Sequence, residues 1–291
     1  MLNKYPKITV VTPSYNQGSF LEYTIASILD QEYPNLEYIV IDGGSTDNSV
    51  EIIKKYQDRL AYWISEPDNG LYDAVQKGFE RSTGEIMCWI NSDDMHHGKS
   101  LITVADLFNS LPDINWIMGC NTFYDEKGKM FVPDSDKFYY RWSKWRMYDL
   151  DGKFIQQESV FWRRSLWEKA GGYVDASLSL AGDADLWLRF FRYERLYTTT
   201  LMLSGFRIRR SQKSKDNFKE YVDELKMLVK REIKLGNAGY YLFLMRVIRA
   251  SAKLIPIMKF KYRVIYKIMG ITPKLTYSPD TGYAFDHKYK L

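Results

Sequence analysis

The sequence predicts an α/β fold, a mainly parallel sheet with helices on both faces, and three observations carry that prediction. Strand and helix signals alternate from Ile8 to Asp94. Polar residues gather directly after the strand signals, where sheets of this kind bind ligands. Hydrophobic residues make up 45% of 291, enough to cover such a sheet and to exclude wholesale disorder.

The elements follow in order. Ile8–Val11 is a short β-branched run ended by Pro13. Ser19 with Glu22 has the pattern of a capping box, and Leu21, Ile25, Ile28 and Leu29 repeat at helical spacing. Leu36–Ile41 is a second strand ending in Asp42-Gly43-Gly44; Ser45, Thr46 and Asp47 are capping candidates for a helix bearing Val50, Ile53 and Tyr56. A third strand (Leu60–Ile64), a helix (Gly70–Glu80) and a fourth strand (Glu85–Ile90) complete the alternation. Beyond it come a helix over 98–111, two strands over 114–132 turning at Glu126-Lys127-Gly128, an aromatic stretch over 133–152, a strand at Val160–Trp162, an amphipathic helix at Asp183–Tyr193 and a closing strand pair over 197–208. Residues 216–234 form a charged helix.

Composition narrows the classes. Cys88 and Cys120 match no zinc spacing and make no disulfide framework; both lie in apolar runs that read as strands, as buried free thiols of a reducing cytosol. Met1–Lys7 is polar and lacks a signal-peptide pattern, and no stretch of about 18 apolar residues predicts a membrane-spanning helix. A cytoplasmic protein is expected. The 16% aromatic content suits core packing first and sugar stacking second.

Four polar clusters follow four successive strand signals and are expected to converge on one cleft: Thr12–Asn16, Asp42–Asp47, Glu66–Asn69 and Asn91–Asp94. Asn91-Ser92-Asp93-Asp94 offers hard oxygen ligands that suit Mg2+ or Mn2+ held by one or two carboxylates plus substrate phosphates; a polar turn with a helix cap is the other reading. Asp183 opens a helix, either as its N-cap or as a carboxylate facing the cleft, and one residue can be both.

Three long stretches, in order, resemble the family 2 glycosyltransferases, inverting enzymes of bacterial surface-polysaccharide assembly. They are ITVVTPSYNQGSFLEYTIASILDQEYPNLEYIVIDGGSTDNS, SEPDNGLYDAVQKGFERSTGEIMCWINSDD and QESVFWRRSLWEKAGGYVDASLSLAGDADLWLRF, within about residues 7–214. The resemblance implies a GT-A fold, a Rossmann-like mixed sheet flanked by helices, over residues 1–214; beyond it, the charged and then basic, apolar pattern of residues 215–291 reads as a basic amphipathic helical extension. The resemblance also implies that Thr12, Pro13, Ser14, Tyr15 and Asn16 line a nucleotide pocket and that Asp42 bonds the uracil of a UDP-sugar. Asp68 and Asp73 are placed near the nucleotide or donor sugar, Asn91 and Ser92 near the ribose, Asp93 on a Mn2+ or Mg2+ ion, and Asp183 as catalytic base. The expected acceptor is a glycan, lipid-linked at family level.

This chain departs from the family pattern at three places: Asn91 replaces the first Asp of the metal motif, Gly182 stands where many relatives have Glu, and Arg209 is nearest to the position of a frequent His. Arg209 would hold a diphosphate by charge. His96 and His97, following the metal motif, read equally as exposed polar residues at a helix start.

Rival classes are weaker. A dinucleotide-dependent oxidoreductase would carry a GxGxxG turn after its first strand, where this chain has Pro13-Ser14-Tyr15-Asn16, and a P-loop is absent. Asn91 keeps alive a catalytically silent sugar-nucleotide or glycan binder. Residues 235–279 hold no Asp or Glu but carry Arg246, Arg249, Lys253, Lys259, Lys261, Arg263, Lys267 and Lys274, with Pro256 breaking the helical pattern. Their apolar content argues against nucleic-acid binding. Two readings stay open: an amphipathic helical pair laid on an anionic membrane surface through residues 240–274, at the inner face of the cell membrane, and a structural helical hairpin with a solvated basic face. Trp142, Trp145 and Tyr148 are read as stacking platforms for the acceptor or as packing.

Overall fold

The computed structural model describes residues 5–131, 144–149, 154–209, 217–236 and 272–286. A seven-stranded sheet forms the centre. Its first strands are β1 (Ile8–Ser14), β2 (Leu36–Asp42), β3 (Tyr62–Ser65) and β4 (Ile86–Trp89), all parallel, with β1 between β2 and β4. All seven residues of β1 are buried, because helices cover both faces; a run without polar alternation is what such a strand needs. Helices α1 (Leu21–Leu29), α2 (Ser49–Tyr56) and α3 (Leu71–Arg81) connect these strands, and α4 (Ser100–Ser110) follows. Register sets Ser14 beside Asp42 and Asp42 beside Ser65, so three loops leave the sheet at one level.

The sheet is mixed, as the family resemblance implies, where the alternation of strand and helix signals alone reads as mainly parallel. Strands β6 (Trp116–Met118) and β10 (Tyr197–Thr198) extend it, but β9 (Val160–Arg163) lies antiparallel between β4 and β6. A second sheet of order β5-β11-β7-β8 stands against it, built from Met95–His96 (β5), Ser204–Arg207 (β11), Thr122–Tyr124 (β7) and Met130–Phe131 (β8). The expected strand pair over 197–208 is therefore divided: β10 finds β6 in the first sheet, and β11 finds β5 and β7 in the second. The turn expected at Glu126–Gly128 does join a hairpin, β7 to β8, fastened by Asp125 Oδ1, which accepts from the N–H groups of Lys127 (2.9 Å) and Lys129 (2.8 Å).

Other local expectations change. The Ser19/Glu22 capping box does not form; Phe20 precedes α1, and Glu22 accepts from Lys55 and Tyr56 of α2 instead. Cys88 lies in β4 but Cys120 lies just past β6; both are buried free thiols. His96 and His97 are not exposed. His96 is buried in contact with Phe161, and His97 bridges Thr122 Oγ1 and Tyr124 Oη (2.7 Å each), fastening the second sheet.

The aromatic excess is largely core. On α7 (Gly182–Phe190), Trp187 stacks on Trp89 and Trp116 (centroids 5.6 Å apart in each pair) and meets Trp162 edge-on at 5.7 Å. This cluster seats α7 on the sheet and adds favourable ring geometry to area burial. Tyr148, in α5 (Lys144–Asp149), is partly buried against the core; the side chain of Trp145 and all of Trp142 lie outside the described residues. After the short α6 (Arg164–Lys169) and α7, the charged helix appears as α8 (Phe218–Leu235), whose Leu225, Leu228 and Val229 join the same core.

The extension beyond α8 is not wholly helical. β12 (Lys274–Ser278) and β13 (Gly282–Asp286) make an antiparallel hairpin, and Leu275, fully buried, bridges Thr199 beside β10. The apolar and basic run through Lys274 hid this change of period. Pro256 and most of the basic segment 240–274 lie outside the described residues. Among those described, no helix is long and apolar enough to cross a membrane.

Candidate active site

The carboxyl ends of β1 to β4 open on one side, and the predicted residues divide there into two groups. The first builds a latch of loops. Thr12, Pro13 and Ser14 are buried, Thr12 Oγ1 lying 3.1 Å from Tyr38 Oη, whereas Tyr15 is 59% exposed and available to a ligand. Asn16 takes a left-handed turn (φ 51°), from which its N–H donates to Ser45 Oγ and its Oδ1 accepts from Thr46 N, both at 2.8 Å. Asp47 adds a second tie, accepting from Gly18 N (2.8 Å) and from Ser49 N at the start of α2 (3.0 Å).

Asp42 is fully buried with both oxygens engaged. Oδ1 accepts from Ser45 Oγ (2.6 Å), and Oδ2 accepts from Ser45 N (2.8 Å) and Ser65 Oγ (2.7 Å). The resemblance places Asp42 on the uracil ring; in this structure both oxygens are taken by Ser45 and Ser65, and the carboxylate orders the loop after β2. Asp68 accepts from Gly70 N (2.8 Å) and lies against Gly43, where an added Cβ would come within 2.6 Å of its carboxylate; no larger residue fits at 43 without displacing it. Asp73, in the first turn of α3, holds the preceding loop through Asn69 N (2.9 Å) and faces Lys77 at 3.5 Å.

The second group is a cluster of acids. After β4, Asn91 buries an Oδ1 that has no hydrogen-bond partner, and Ser92 is buried beside it. Asp93 pairs with Arg209 (2.5 Å), and its backbone carbonyl accepts from Arg207 Nε (2.6 Å). Asp94 accepts the N–H of Arg207 on Oδ1 (2.8 Å), while its Oδ2 has no partner. Burial raises the Asp93 carboxyl above the usual range, although Arg209 works against it; burial, with Asp93 and Glu158 nearby, raises Asp94 well above.

Glu158 stands in the 3-10 turn Gln157–Ser159 ahead of β9, buried, its Oε1 without a partner. Burial carries its pKa to about 8, and the charges of Asp93 and Asp183 push the same way. Asp183, half-buried in the first turn of α7, accepts from Ala184 N (2.7 Å) and lies 3.3 Å from Tyr72 Oη. Burial raises its pKa to about 6, moderated by those two hydrogen bonds. The Tyr72 ring also explains Gly182: a Cβ there would lie 2.7 Å from it. In this chain an aromatic ring fills the space where relatives were expected to place Glu.

The structure thus links Asp93 to Asp94, and Glu158 to Asp93, Asp94 and Asp183, by charge, with Arg207 and Arg209 as counter-charges to Asp93 and Arg207 also facing Asp94. Arg207, Glu158 and Tyr72 were missed. A signal existed for Arg207: strand alternation in Ser204–Arg207 turns it inward. Among the described residues no group of three or more His, Cys, Asp or Glu is arranged as a complete metal site.

Comparison with known proteins identifies the family and the fold. The family model described as Glycosyl transferase family 2 matches residues 9–166. An uncharacterized glycosyltransferase of Rickettsia prowazekii is 27% identical over 252 residues, covering 82% of this chain and 78% of that protein. The putative teichuronic acid biosynthesis glycosyltransferase TuaG of Bacillus subtilis is 36% identical over 97 residues, 32% of this chain and 38% of TuaG. In structure, S. aureus TarS in complex with UDP-GlcNAc superposes with a TM-score of 0.63 at 18% identity, over 78% of this chain and 66% of that one. The mannosyltransferase PcManGT of Pyrobaculum calidifontis, in complex with GDP-Man and Mn2+, gives 0.54 at 17% identity, over 91% of this chain and 84% of that one. The chain belongs to glycosyl transferase family 2 and is a glycosyltransferase with the GT-A fold.

Proposed function

We propose that the chain transfers a hexose or N-acetylhexosamine from a UDP-sugar to a glycan acceptor in polysaccharide biosynthesis, inverting the anomeric centre, with Asp183 as general base. The observation that carries this reading is Asp183 itself: a half-buried carboxylate at a helix start, its pKa lifted to about 6, facing Glu158, which also feels the charge of Asp93. Such a group is mostly ionised at neutral pH and yet more basic than an ordinary carboxylate. The acceptor hydroxyl gives its proton to Asp183 as its oxygen bonds to the anomeric carbon. The bond from that carbon to the diphosphate oxygen breaks, and UDP leaves with the electron pair. Attack opposite the leaving group inverts the centre, giving a β-linkage from an α-linked donor.

The residues present fit a divalent metal completed by substrate. One carboxylate, Asp93, beside the unpartnered Asn91 Oδ1 suits an ion whose other ligands are phosphates and water. Mn2+ or Mg2+ there would supply Lewis-acid stabilisation of the departing diphosphate. Arg209 adds a fixed positive charge beside Asp93. Thr12–Asn16, Asp42, Asp68, Asp73, Asn91 and Ser92 form the nucleotide-sugar side of the cleft in this reading. The UDP-GlcNAc complex of TarS supports a uridine donor, and the name of TuaG supports a surface polysaccharide as product. A lipid-linked acceptor, met by a cytoplasmic enzyme on the inner membrane face through residues 240–274, completes the proposal.

Calorimetry of UDP with and without Mn2+, on the wild type and on Asp93→Ala, tests it. Mn2+-dependent UDP binding that disappears in the variant is expected. Binding of GDP in preference to UDP, or UDP binding indifferent to both Mn2+ and Asp93, would overturn the donor and metal assignments.

A further inference from the structure

Three successive backbone N–H groups directly ahead of α7 converge on one side chain. Glu224, on α8, accepts from Ser179 N (3.1 Å), Leu180 N (3.0 Å) and Ala181 N (2.8 Å). This turn carries Asp183 two residues later. On its other side Tyr72, from α3, places its hydroxyl 2.7 Å from Leu180 O and 3.3 Å from Asp183 Oδ1. Ala181 makes no side-chain cap to α7, so the Glu224 carboxylate occupies the place of a cap supplied from a distant part of the chain.

α8 is also fixed beyond Asp183. Asp185, fully buried, accepts from Arg189 (2.8 Å) and from Arg231 of α8 (2.5 Å), and Glu232 of α8 pairs with Arg192 (2.5 Å). One helix therefore grips the chain on both sides of Asp183, by Glu224 before it and Arg231 after it. α8 lies outside residues 9–166, the stretch matched by the family model.

We propose that Glu224 is a positioning residue for the reaction: its carboxylate, opposed by the Tyr72 hydroxyl, holds the 179–183 turn so that Asp183 meets the acceptor hydroxyl, which makes α8 part of the catalytic machinery. The proposal rests on Asp183 being the base. The ionisable groups facing Asp183 are Tyr72 from α3, Tyr221 and Glu224 from α8, and Glu158 from the turn before β9. Of these, Glu224 and Tyr72 bind the backbone turn bearing Asp183, Glu224 through three N–H groups and Tyr72 through the Leu180 carbonyl.

The experiment uses the full chain with Mn2+. UDP release is followed from whichever of UDP-Glc, UDP-Gal, UDP-GlcNAc and UDP-GalNAc turns over, for Asp183→Asn, Glu224→Ala and Glu224→Gln, with UDP affinity measured on each. A misplaced base costs turnover and leaves nucleotide binding alone, so kcat of Glu224→Ala should fall about 10- to 100-fold with the Kd for UDP within about twofold. Glu224→Gln, keeping one acceptor oxygen, should recover a substantial part of kcat. Wild-type kcat in Glu224→Ala, or kcat and UDP affinity lost in parallel, overturns the proposal. If the alanine variant does not fold, the glutamine variant decides: reduced kcat at unchanged UDP affinity supports the proposal and wild-type kcat overturns it. Wild-type kcat in Asp183→Asn instead removes the base assignment on which the proposal depends, a failure distinct from any result at Glu224.

Discussion

Two ends of one sheet treat buried carboxylates in opposite ways. At the amino end, Glu37 on β2 is saturated. It accepts from Thr9 Oγ1, Thr83 N and Thr83 Oγ1 at 2.6 Å each, from Gly84 N at 3.1 Å, and it pairs with Lys7 at 3.0 Å. Burial alone would raise its pKa, but these donors outweigh burial and hold it at about 2. At the carboxyl end, Asp93 pairs with Arg209 and Asp94 accepts from Arg207 N, while oxygens of Asp94 and Glu158 have no partner; the pKa values of Asp93, Asp94, Glu158 and Asp183 all rise. A carboxylate is a fastening where its donors are complete, and burial governs it where they are not. Incomplete pairing marks the end where a substrate is to supply what is missing.

The comparison can be broken at the reactive end first. Asp183→Asn preserves shape and removes the base; kcat should fall about 10²- to 10⁴-fold while UDP affinity holds, in steady-state kinetics set beside calorimetry. At the fastened end, Glu37→Gln should act oppositely, lowering stability by about 3 kcal/mol at pH 7 with kcat per folded molecule unchanged; the figure is the fall from 4.5 to about 2 taken at 1.36 kcal/mol per unit. The sign follows from linkage: the folded pKa is depressed, so this stability is present above the unfolded value near 4.5 and is lost as pH falls toward 2. Urea unfolding at pH 7 and pH 3 should show the wild type and the variant converging at the lower pH. The smallest effect sharpens the contrast. Tyr72→Phe keeps the ring over Gly182 but withdraws a hydroxyl that lowers the Asp183 pKa, so the acidic limb of the kcat profile should move upward from about 6 by a fraction of a unit. A downward movement would contradict the assignment.

Legibility in the sequence followed the same division. The placement of the polar clusters was readable because they lie directly after strands β1 to β4, where a parallel sheet fixes position by register alone; Asp42, Asp93 and their loops stand at the expected strand ends. The helix start at Asp183 was readable too, but its proposed role came from the family resemblance, since position alone left an N-cap equally open. Glu158 and Tyr72 were not readable: the polar run Gln156–Ser159 precedes its apolar strand instead of following it, and Tyr72 occupies a helix face that reads as packing. Glu224 looked like one more charge on a charged helix, since three backbone donors from a distant turn leave no trace in local pattern. The mixed sheet came from the family resemblance and was not readable in the residues' own pattern. An antiparallel strand buried on both faces, as β9 is, has the same composition as a parallel one.

The hairpin β12–β13 has a mechanical meaning. Thr272 donates to Leu196 O (2.8 Å) and Leu275 bridges Thr199, while α8 is riveted to α7 by Arg231 and Glu232. α8 and the hairpin, which flank residues 237–271 in the chain, are thus each fastened to the fold. A pull on the hairpin is carried into the central sheet beside β10, and a pull on α8 into α7, the helix that bears Asp183.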